Sequence, residues 1–94
     1  MEVKMYTANA TGTQNIVELI NEDLRAQGEI IPKLTLHCIA FEANPGTAFR
    51  INNCNFVVPS TGKFITPFEG DRYCKITNLE FPDGCTGLNI YYII

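Results

Sequence analysis

Tryptophan is absent from this sequence, histidine occurs once, and the basic residues never form a run. Seven lysines and arginines stand against ten aspartates and glutamates, which gives a net charge of −3. Proteins that hold nucleic acid by neutralising phosphates need a stripe of basic residues. We therefore expect that nucleic acid is not a partner.

Long hydrophobic runs are also missing. No segment is long and apolar enough to span a bilayer, and the amino-terminal stretch MEVKMYTANATG lacks the apolar core of a signal peptide. The sequence therefore predicts a protein without a membrane partner that is not secreted by that route.

Closely spaced cysteine pairs do not occur. Structural zinc sites place two ligands a few residues apart, so the missing C-x-x-C pattern argues against zinc. An even number of cysteines could form two disulfides, but without a secretion signal we favour free, buried thiols. We expect no metal and no other cofactor. The four cysteines are Cys38, Cys54, Cys74 and Cys85.

The segment VPSTGKF contains the Gly62-Lys63 pair of a phosphate-binding loop but not the rest of that pattern. Val57 stands where the loop needs its first glycine, and Phe64 stands where it needs a hydroxyl group for magnesium. The segment also lies between two predicted strands, whereas a phosphate loop opens a helix. We interpret it as the turn of a β-hairpin.

No set of residues has the pattern of a catalytic site. The only histidine, His37, precedes Cys38 on a predicted strand, so their side chains point to opposite faces. We predict that the protein is not an enzyme and has no catalytic residues. An enzyme stays the third alternative, which would require a pocket that joins His37 to another cysteine or contains two carboxylates.

The chain does contain enough apolar residues for one compact domain, residues 1–94, because 46% of the sequence is hydrophobic. A helical stripe runs from about 13 to 27, after a Thr11 or Thr13 N-cap and before Gly28. We interpret this helix as a lid on the core. The rest alternates in about seven short strands. This pattern predicts a mainly β fold, an antiparallel, jelly-roll-like β-sandwich with one early α-helix.

Local patterns make sharper predictions about the strands. The even-numbered residues from Leu34 to Ala40 are expected on one face. The inward phase is expected to slip near Thr77-Asn78, as at a β-bulge. Turns are predicted at 44–46, 52–53, 59–62 and 82–84.

The carboxy-terminal strand is apolar on both faces. Tyr91 and Ile93 lie on the second face beside Asn89. Such a strand is either central with both sides covered, or exposed at an interface. The helix can supply the cover; if it lies elsewhere, another subunit is required. The candidate interface residues are Tyr91, Ile93 and Ile94, with Val3 and Tyr6 as neighbours.

Aromatic residues beside polar loops suggest an alternative function. A lectin-like module that binds a carbohydrate or a receptor would use exposed rings, and Phe68 and Tyr73 are its candidate ligand-binding residues. The missing tryptophan weighs against this alternative.

Four segments of the carboxy-terminal half form a recognisable pattern of strands and turns: Gly46–Asn52, Val58–Phe64, Ile76–Phe81 and Asn89–Tyr92. In this pattern the chain resembles a small β-sandwich module of tailed-phage virion proteins. The resemblance implies a bacteriophage structural protein of the head-fibre or capsid-decoration type, made in the host cytoplasm and located in the virion. The expected partners are a phage capsid protein and copies of the same chain, with a trimer as the expected homo-oligomer.

Overall fold

The structure, a computed structural model, describes residues 2–66 and 75–94. Those residues form seven β-strands and one α-helix. In chain order the elements are β1 (Val3–Ala10), α1 (Ile16–Ala26), β2 (Cys38–Glu42), β3 (Ala48–Ile51), β4 (Cys54–Val57), β5 (Lys63–Ile65), β6 (Leu79–Glu80) and β7 (Cys85–Ile93).

The strands belong to two antiparallel sheets, one with the order β1-β7-β2-β5 and one with the order β4-β3-β6. Inward side chains of both sheets join one hydrophobic core, so the arrangement is sandwich-like. The mainly β fold with about seven strands and one early helix is therefore confirmed. The jelly-roll order stays a prediction.

Phenylalanine rings connect the two sheets at the centre of the core. Phe49 of β3 lies 5.2 Å from Phe41 of β2 and 4.7 Å from Phe64 of β5, both in edge-to-face geometry. Phe81 follows β6 and lies 5.4 Å from Phe41. Such pairs contribute about 0.5–1.5 kcal/mol each beyond their buried area. The inward alternation of β2 and β3 thus holds one sheet against the other.

The helix begins later than the predicted residue 13. Asn15 is its N-cap, and the Asn15 Oδ1 accepts a hydrogen bond from the Val17 amide at 3.0 Å. Thr11 and Gln14 instead close a turn before the helix, in which the Gln14 Oε1 accepts from the Thr11 amide at 2.9 Å. The predicted caps Thr11 and Thr13 were therefore wrong. Of the two bonds of a capping box, the one from the Thr11 amide to the Gln14 side chain is present, but it lies before the helix.

The end of the helix matches the prediction. Gly28 has a φ of +91°, the left-handed conformation that a glycine after a helix adopts without strain. Its amide donates to the Arg25 carbonyl at 3.0 Å, and the Glu29 amide donates to the Leu24 carbonyl at 2.9 Å. These two bonds form a Schellman motif, which satisfies carbonyls that the helix leaves open.

The helix closes one side of the core. It contacts β1 at an edge of the first sheet and β6 at an edge of the second. Its apolar stripe is buried with the inward residues of both sheets, as the prediction of a core lid requires. The buried helical residues are Ile16, Val17, Ile20 and Leu24.

All four predicted turns are present, but one of them joins different strands than expected. The turn at 59–62 is closed by a bond of 2.9 Å from the Gly62 amide to the Pro59 carbonyl. It leads from β4 to β5, which belong to different sheets. The hairpin prediction is wrong because β5 pairs with β2, a strand that is distant in sequence. The residues with positive φ in the four turns are Gly46, Asn52, Asn53, Gly62 and Gly84.

The alternation from 34 to 40 is interrupted, so that prediction is wrong. Leu36 and Ile39 are both buried, whereas Cys38 and Ala40 are only half-buried. The chain bends at His37, whose amide donates to the Ile93 carbonyl at 2.7 Å before β2 begins. The predicted slip near Thr77-Asn78 is confirmed, since residues 76 and 79 are both buried.

Three of the four cysteines lie in the part of the chain that the structure describes, and all three are free thiols. Cys38 and Cys85 are half-buried, but Cys54 is exposed, so the prediction of a buried thiol is wrong there. Cys74 lies outside the described residues.

Candidate interaction surface

The four-stranded sheet faces the core on one side and solvent on the other. Paired residues of antiparallel strands point to the same face, which fixes the membership of each face from the register. The solvent side, called the outer face below, comprises Val3, Met5 and Thr7 of β1, Gly87, Asn89, Tyr91 and Ile93 of β7, Cys38, Ala40 and Glu42 of β2, and Lys63 and Ile65 of β5.

An apolar row crosses the middle of the outer face. Tyr91 of the central strand β7 pairs with Met5 on one side and with Ala40 on the other, and Ala40 pairs with Ile65. The exposed fractions are 51% for Met5, 48% for Tyr91 and 65% for Ile65. Adjacent, exposed apolar side chains of this size are a common feature of interaction sites, which makes this row the candidate.

A second row extends the apolar surface toward the carboxy terminus. Ile93 pairs with Val3 on β1 and with Cys38 on β2. Three of the candidate interface residues, Tyr91, Ile93 and Val3, therefore lie on the same face of the sheet. Ile94 follows the end of β7 and is exposed, but it has the alternation phase of the inward residue Tyr92.

Tyr6 lies on the opposite side of the sheet from Tyr91. It pairs with the buried Ile90 and packs against the core beneath α1. Burial raises the pKa of the Tyr6 phenol above its ordinary value, and the negative charges of Asp23 and Glu22 raise it further. The structure therefore brings together three of the five candidate interface residues and separates Tyr6 from them.

The helix leaves the outer face open. It packs on the core side, so of the two predicted covers for the second face of β7 the helical one is excluded. Residues Met5, Ala40 and Ile65 complete the surface, and they were not among the candidates. Met5 shares its phase with Val3 and could have been found in the sequence. Ala40 and Ile65 could not, because the pairing of β2 and β5 with each other and with β7 is a property of the folded sheet.

A groove of about 420 Å³ runs along the outer face. Tyr91 forms one wall and Ile65 the other, and the floor contains Ala40 and Gly87. The groove exists because Ala40 and Gly87 have almost no side chain to fill the space between β7 and β5.

Charge is nearly absent from the outer face. Its only charged side chains within residues 2–66 and 75–94 are Glu42 and Lys63, which pair across strands with 3.9 Å between Oε1 and Nζ. On the other half of the sheet, the Thr7 hydroxyl donates to the Asn89 Oδ1 at 2.8 Å. The outer face is therefore apolar in the middle, polar at one end and electrically neutral.

A larger cleft, of about 580 Å³, lies at the end of the sandwich where the loops after β2, β4 and β6 meet. Glu42 and Lys63 are the only charged residues among those described that line it, and its other polar side chains are hydroxyls, the Asn44 amide and the Cys85 thiol. It is an open surface between turns. The outer face, where large apolar side chains lie next to one another, is therefore the stronger candidate of the two for an interaction surface.

The remaining candidate residues do not form a site that the structure describes. Phe68 and Tyr73, the aromatic residues of the lectin-like alternative, lie outside the described residues. Within 2–66 and 75–94, no three histidine, cysteine or acidic side chains come together as a metal-binding group. In the same ranges, no helix is long and apolar enough to cross a membrane.

Comparison with known protein families, with curated proteins and with solved structures finds no match to this chain.

Proposed function

We propose that this protein is a non-enzymatic structural or accessory component of a tailed-phage virion, which acts by self-assembly and by docking on capsid proteins. The observation that carries the self-assembly is the outer face, an apolar and neutral sheet surface that α1 does not cover. The virion part rests on the resemblance of residues 46–92 to a module of phage heads and fibres.

Burial of apolar area favours association through this face. Met5, Tyr91 and Ile65 are about half exposed or more, so covering each of them contributes on the order of 1 kcal/mol. Association must offset about 4–15 kcal/mol of lost translational and rotational freedom. One or two side chains are therefore not enough, and the whole face has to be covered.

Pairing through the free edge of β1 is a weaker route. β1 is a long edge strand and its pairing with β7 shifts register between Ala8 and Ala10. Lys4, the second residue of β1, points to the core side, where its Nζ lies 3.6 Å from the Glu29 carboxylate. A bulge and an inward charge are two of the features that protect edge strands from pairing with other chains.

The self-assembly is tested by the molar mass of the purified chain in reducing buffer, measured by light scattering. We expect an oligomer for the natural chain and a folded monomer for Tyr91→Lys/Ile93→Lys, because two buried charges would have no partner. Val57→Lys is the matched control, since Val57 is 64% exposed on the other sheet. It should leave the mass unchanged. A natural chain that is monomeric at high concentration would contradict self-assembly.

The virion part is tested separately. Particles purified by density gradient from cells that express the chain from its native genome should contain it in a fixed ratio to the capsid protein, as measured by quantitative mass spectrometry. Particles without the chain would contradict the virion assignment and leave the self-assembly result unaffected.

A further inference from the structure

We propose that two copies of this chain pair face to face about a two-fold axis, with Tyr91 of each copy lying in the groove over Ala40 of the other. This inference rests on the self-assembly proposed above and adds its symmetry and its central contact. The partner is a second copy. The two-fold axis lies between the two facing sheets, parallel to their strands and over the boundary between β7 and β2.

The order of side-chain sizes across the sheet is what makes the face complementary to itself. The central row reads Met5, Tyr91, Ala40, Ile65 from one edge to the other. A two-fold axis along the middle of the sheet reverses this order in the facing copy. Tyr91 then meets Ala40 of the other copy, and Met5 meets Ile65. A two-fold interface uses the same patch on both subunits. The patch must therefore contain both the side chain that projects, here Tyr91, and the groove that receives it, here the groove over Ala40.

The groove is large enough for the ring that would enter it. A cavity of about 150 Å³ holds a benzene molecule, and the groove between Tyr91 and Ile65 measures about 420 Å³. Since the groove in the facing copy receives a ring at the same time, the contact is reciprocal. Two aromatic side chains are buried by one pairing.

The charges of the face favour this orientation. Glu42 and Lys63 lie on the β2–β5 half, and the uncharged pair Thr7 and Asn89 lies on the β1–β7 half. The two-fold axis places each charged half over the uncharged half of the other copy. No charged group then faces a like charge, which matters for two chains that each carry a net charge of −3.

The area of the face sets the strength of the pairing. Four strands about 4.8 Å apart give a width of about 19 Å, and the segment from Gly87 to Ile93 is about 22 Å long, for a flat footprint of roughly 420 Å². Typical specific interfaces bury about 800 Å² on each partner. Projecting side chains add to the flat area, but the face stays at the small end of the range. The dimer should therefore be reversible and dissociate on dilution.

The first test fills the groove without changing charge. Ala40→Phe places a ring where Tyr91 of the other copy would lie, so we expect a folded monomer under conditions in which the natural chain is a dimer. The double variant Ala40→Phe/Tyr91→Ala moves the ring from β7 to β2 and should restore the dimer. Ala48→Phe is the control, because Ala48 is half-buried on the solvent side of the other sheet; it should not change the mass.

The second test measures the geometry with a short thiol cross-linker. Met5 and Ile65 lie on opposite edge strands, three strand spacings or about 14 Å apart within one chain. In the proposed dimer Met5 faces Ile65 of the other copy across about 10 Å, the spacing of packed sheets, which is too far for a disulfide but within reach of a short bismaleimide. In a chain whose native cysteines are replaced by serine, Met5→Cys/Ile65→Cys should form a covalent dimer with this reagent. Met5→Cys/Val57→Cys should not, since Val57 is on the other sheet.

The outcomes separate this inference from the self-assembly on which it rests. If the natural chain is an oligomer that Tyr91→Lys/Ile93→Lys dissociates, but Ala40→Phe stays associated or the mass is that of a trimer, the two-fold pairing is overturned and the self-assembly stands. A natural chain that is monomeric at all concentrations overturns both. If Ala40→Phe does not fold, the bismaleimide experiment decides: a dimer in which Met5→Cys/Ile65→Cys gives no cross-link between copies overturns the pairing.

Discussion

Met5 and Tyr91 lie directly opposite each other on neighbouring strands, and both side chains are about half exposed on the solvent side of the sheet. Large apolar side chains in such a cross-strand pair stabilise the sheet by contact with each other. Their outer surfaces have no cover in the part of the chain that the structure describes. The register that stabilises the fold therefore also places two exposed apolar side chains next to each other on the outer face.

Oxidation of Met5 should report on whether that surface is covered. Peroxide converts an accessible methionine to its sulfoxide, and the reaction slows when the side chain is buried. We expect Met5 to be oxidised several-fold more slowly in the concentrated natural chain than in Tyr91→Lys/Ile93→Lys, as followed by mass spectrometry of the peptide that contains it. Equal rates in the two proteins would mean that Met5 stays exposed in the natural chain.

Asn15 should be more important for stability than an ordinary N-cap. Besides capping α1, its Oδ1 accepts from the Leu79 amide at 3.0 Å and its Nδ2 donates to the Thr77 carbonyl at 3.1 Å. Loss of a cap costs about 1 kcal/mol, and each lost hydrogen bond adds about 0.5–1.5 kcal/mol. Asn15→Ala should therefore lower the free energy of unfolding by about 2–4 kcal/mol in urea denaturation.

The control for Asn15 is Thr13→Ala. Thr13 was a predicted cap, but it lies before the helix and is exposed. Its replacement should change the free energy of unfolding by less than about 0.5 kcal/mol. Equal losses for Thr13→Ala and Asn15→Ala would contradict the assignment of the cap.

Asn52 ties the β3–β4 turn to the segment before β6. Its Oδ1 accepts from the Thr77 amide at 3.0 Å and from the Asn78 amide at 3.2 Å, and its Nδ2 donates to the Lys75 carbonyl at 2.8 Å. It also has a φ of +49°. Asn52→Ala loses these three bonds and strains the backbone, so it should lower the free energy of unfolding by about 3–6 kcal/mol.

Asn53→Ala separates the two effects. Asn53 has a φ of +68°, so alanine is strained there as well, but its side chain is exposed. The loss should be about 1–2 kcal/mol, the strain alone. Should both variants lose the same free energy in urea denaturation, the bonds from Asn52 to residues 75–78 would contribute nothing.

Alkaline pH should destabilise the fold through buried tyrosine. Burial raises the pKa of the Tyr92 phenol, and the charges of Asp23 and Glu29 raise it further. In the unfolded chain a tyrosine loses its proton near pH 10. Above that pH the folded state binds more protons than the unfolded state, so the free energy of unfolding falls as the pH rises. Tyr6, whose pKa is raised too, adds to the fall.

Tyr92→Phe removes one of these two phenols while keeping the ring. Its free energy of unfolding, measured in urea between about pH 8 and 11, should fall less steeply with pH than that of the natural chain. An unchanged slope would show that Tyr92 does not contribute to the alkaline loss of stability.

Features that depend on neighbours in sequence were predictable here. Asn52 and Asn53 form the tight turn between β3 and β4. Asparagine adopts positive φ with less strain than most residues, and this preference does not depend on the rest of the fold. Gly28 ends the helix for a similar local reason. The apolar alternation of the last strand likewise placed Tyr91 and Ile93 on one face before any pairing was known.

Features that depend on residues distant in sequence were not predictable. Asn15 is the N-cap, rather than Thr11 or Thr13, and it also binds the backbone at residues 77 and 79. The bend at His37 comes from pairing with the end of β7. The groove over Ala40 exists only because the strands are ordered β1-β7-β2-β5. This order cannot be derived from any short segment of the sequence.

The most direct test of the outer face as the place where copies meet is an isotope-filtered NMR spectrum of a mixture of ¹³C-labelled and unlabelled chains, in which only contacts between copies give signals. We expect cross-peaks from the Tyr91 ring to the Ala40 methyl group, and from the Met5 methyl group to Ile65. Cross-peaks from Val57 on the other sheet, or none in a concentrated sample, would contradict it.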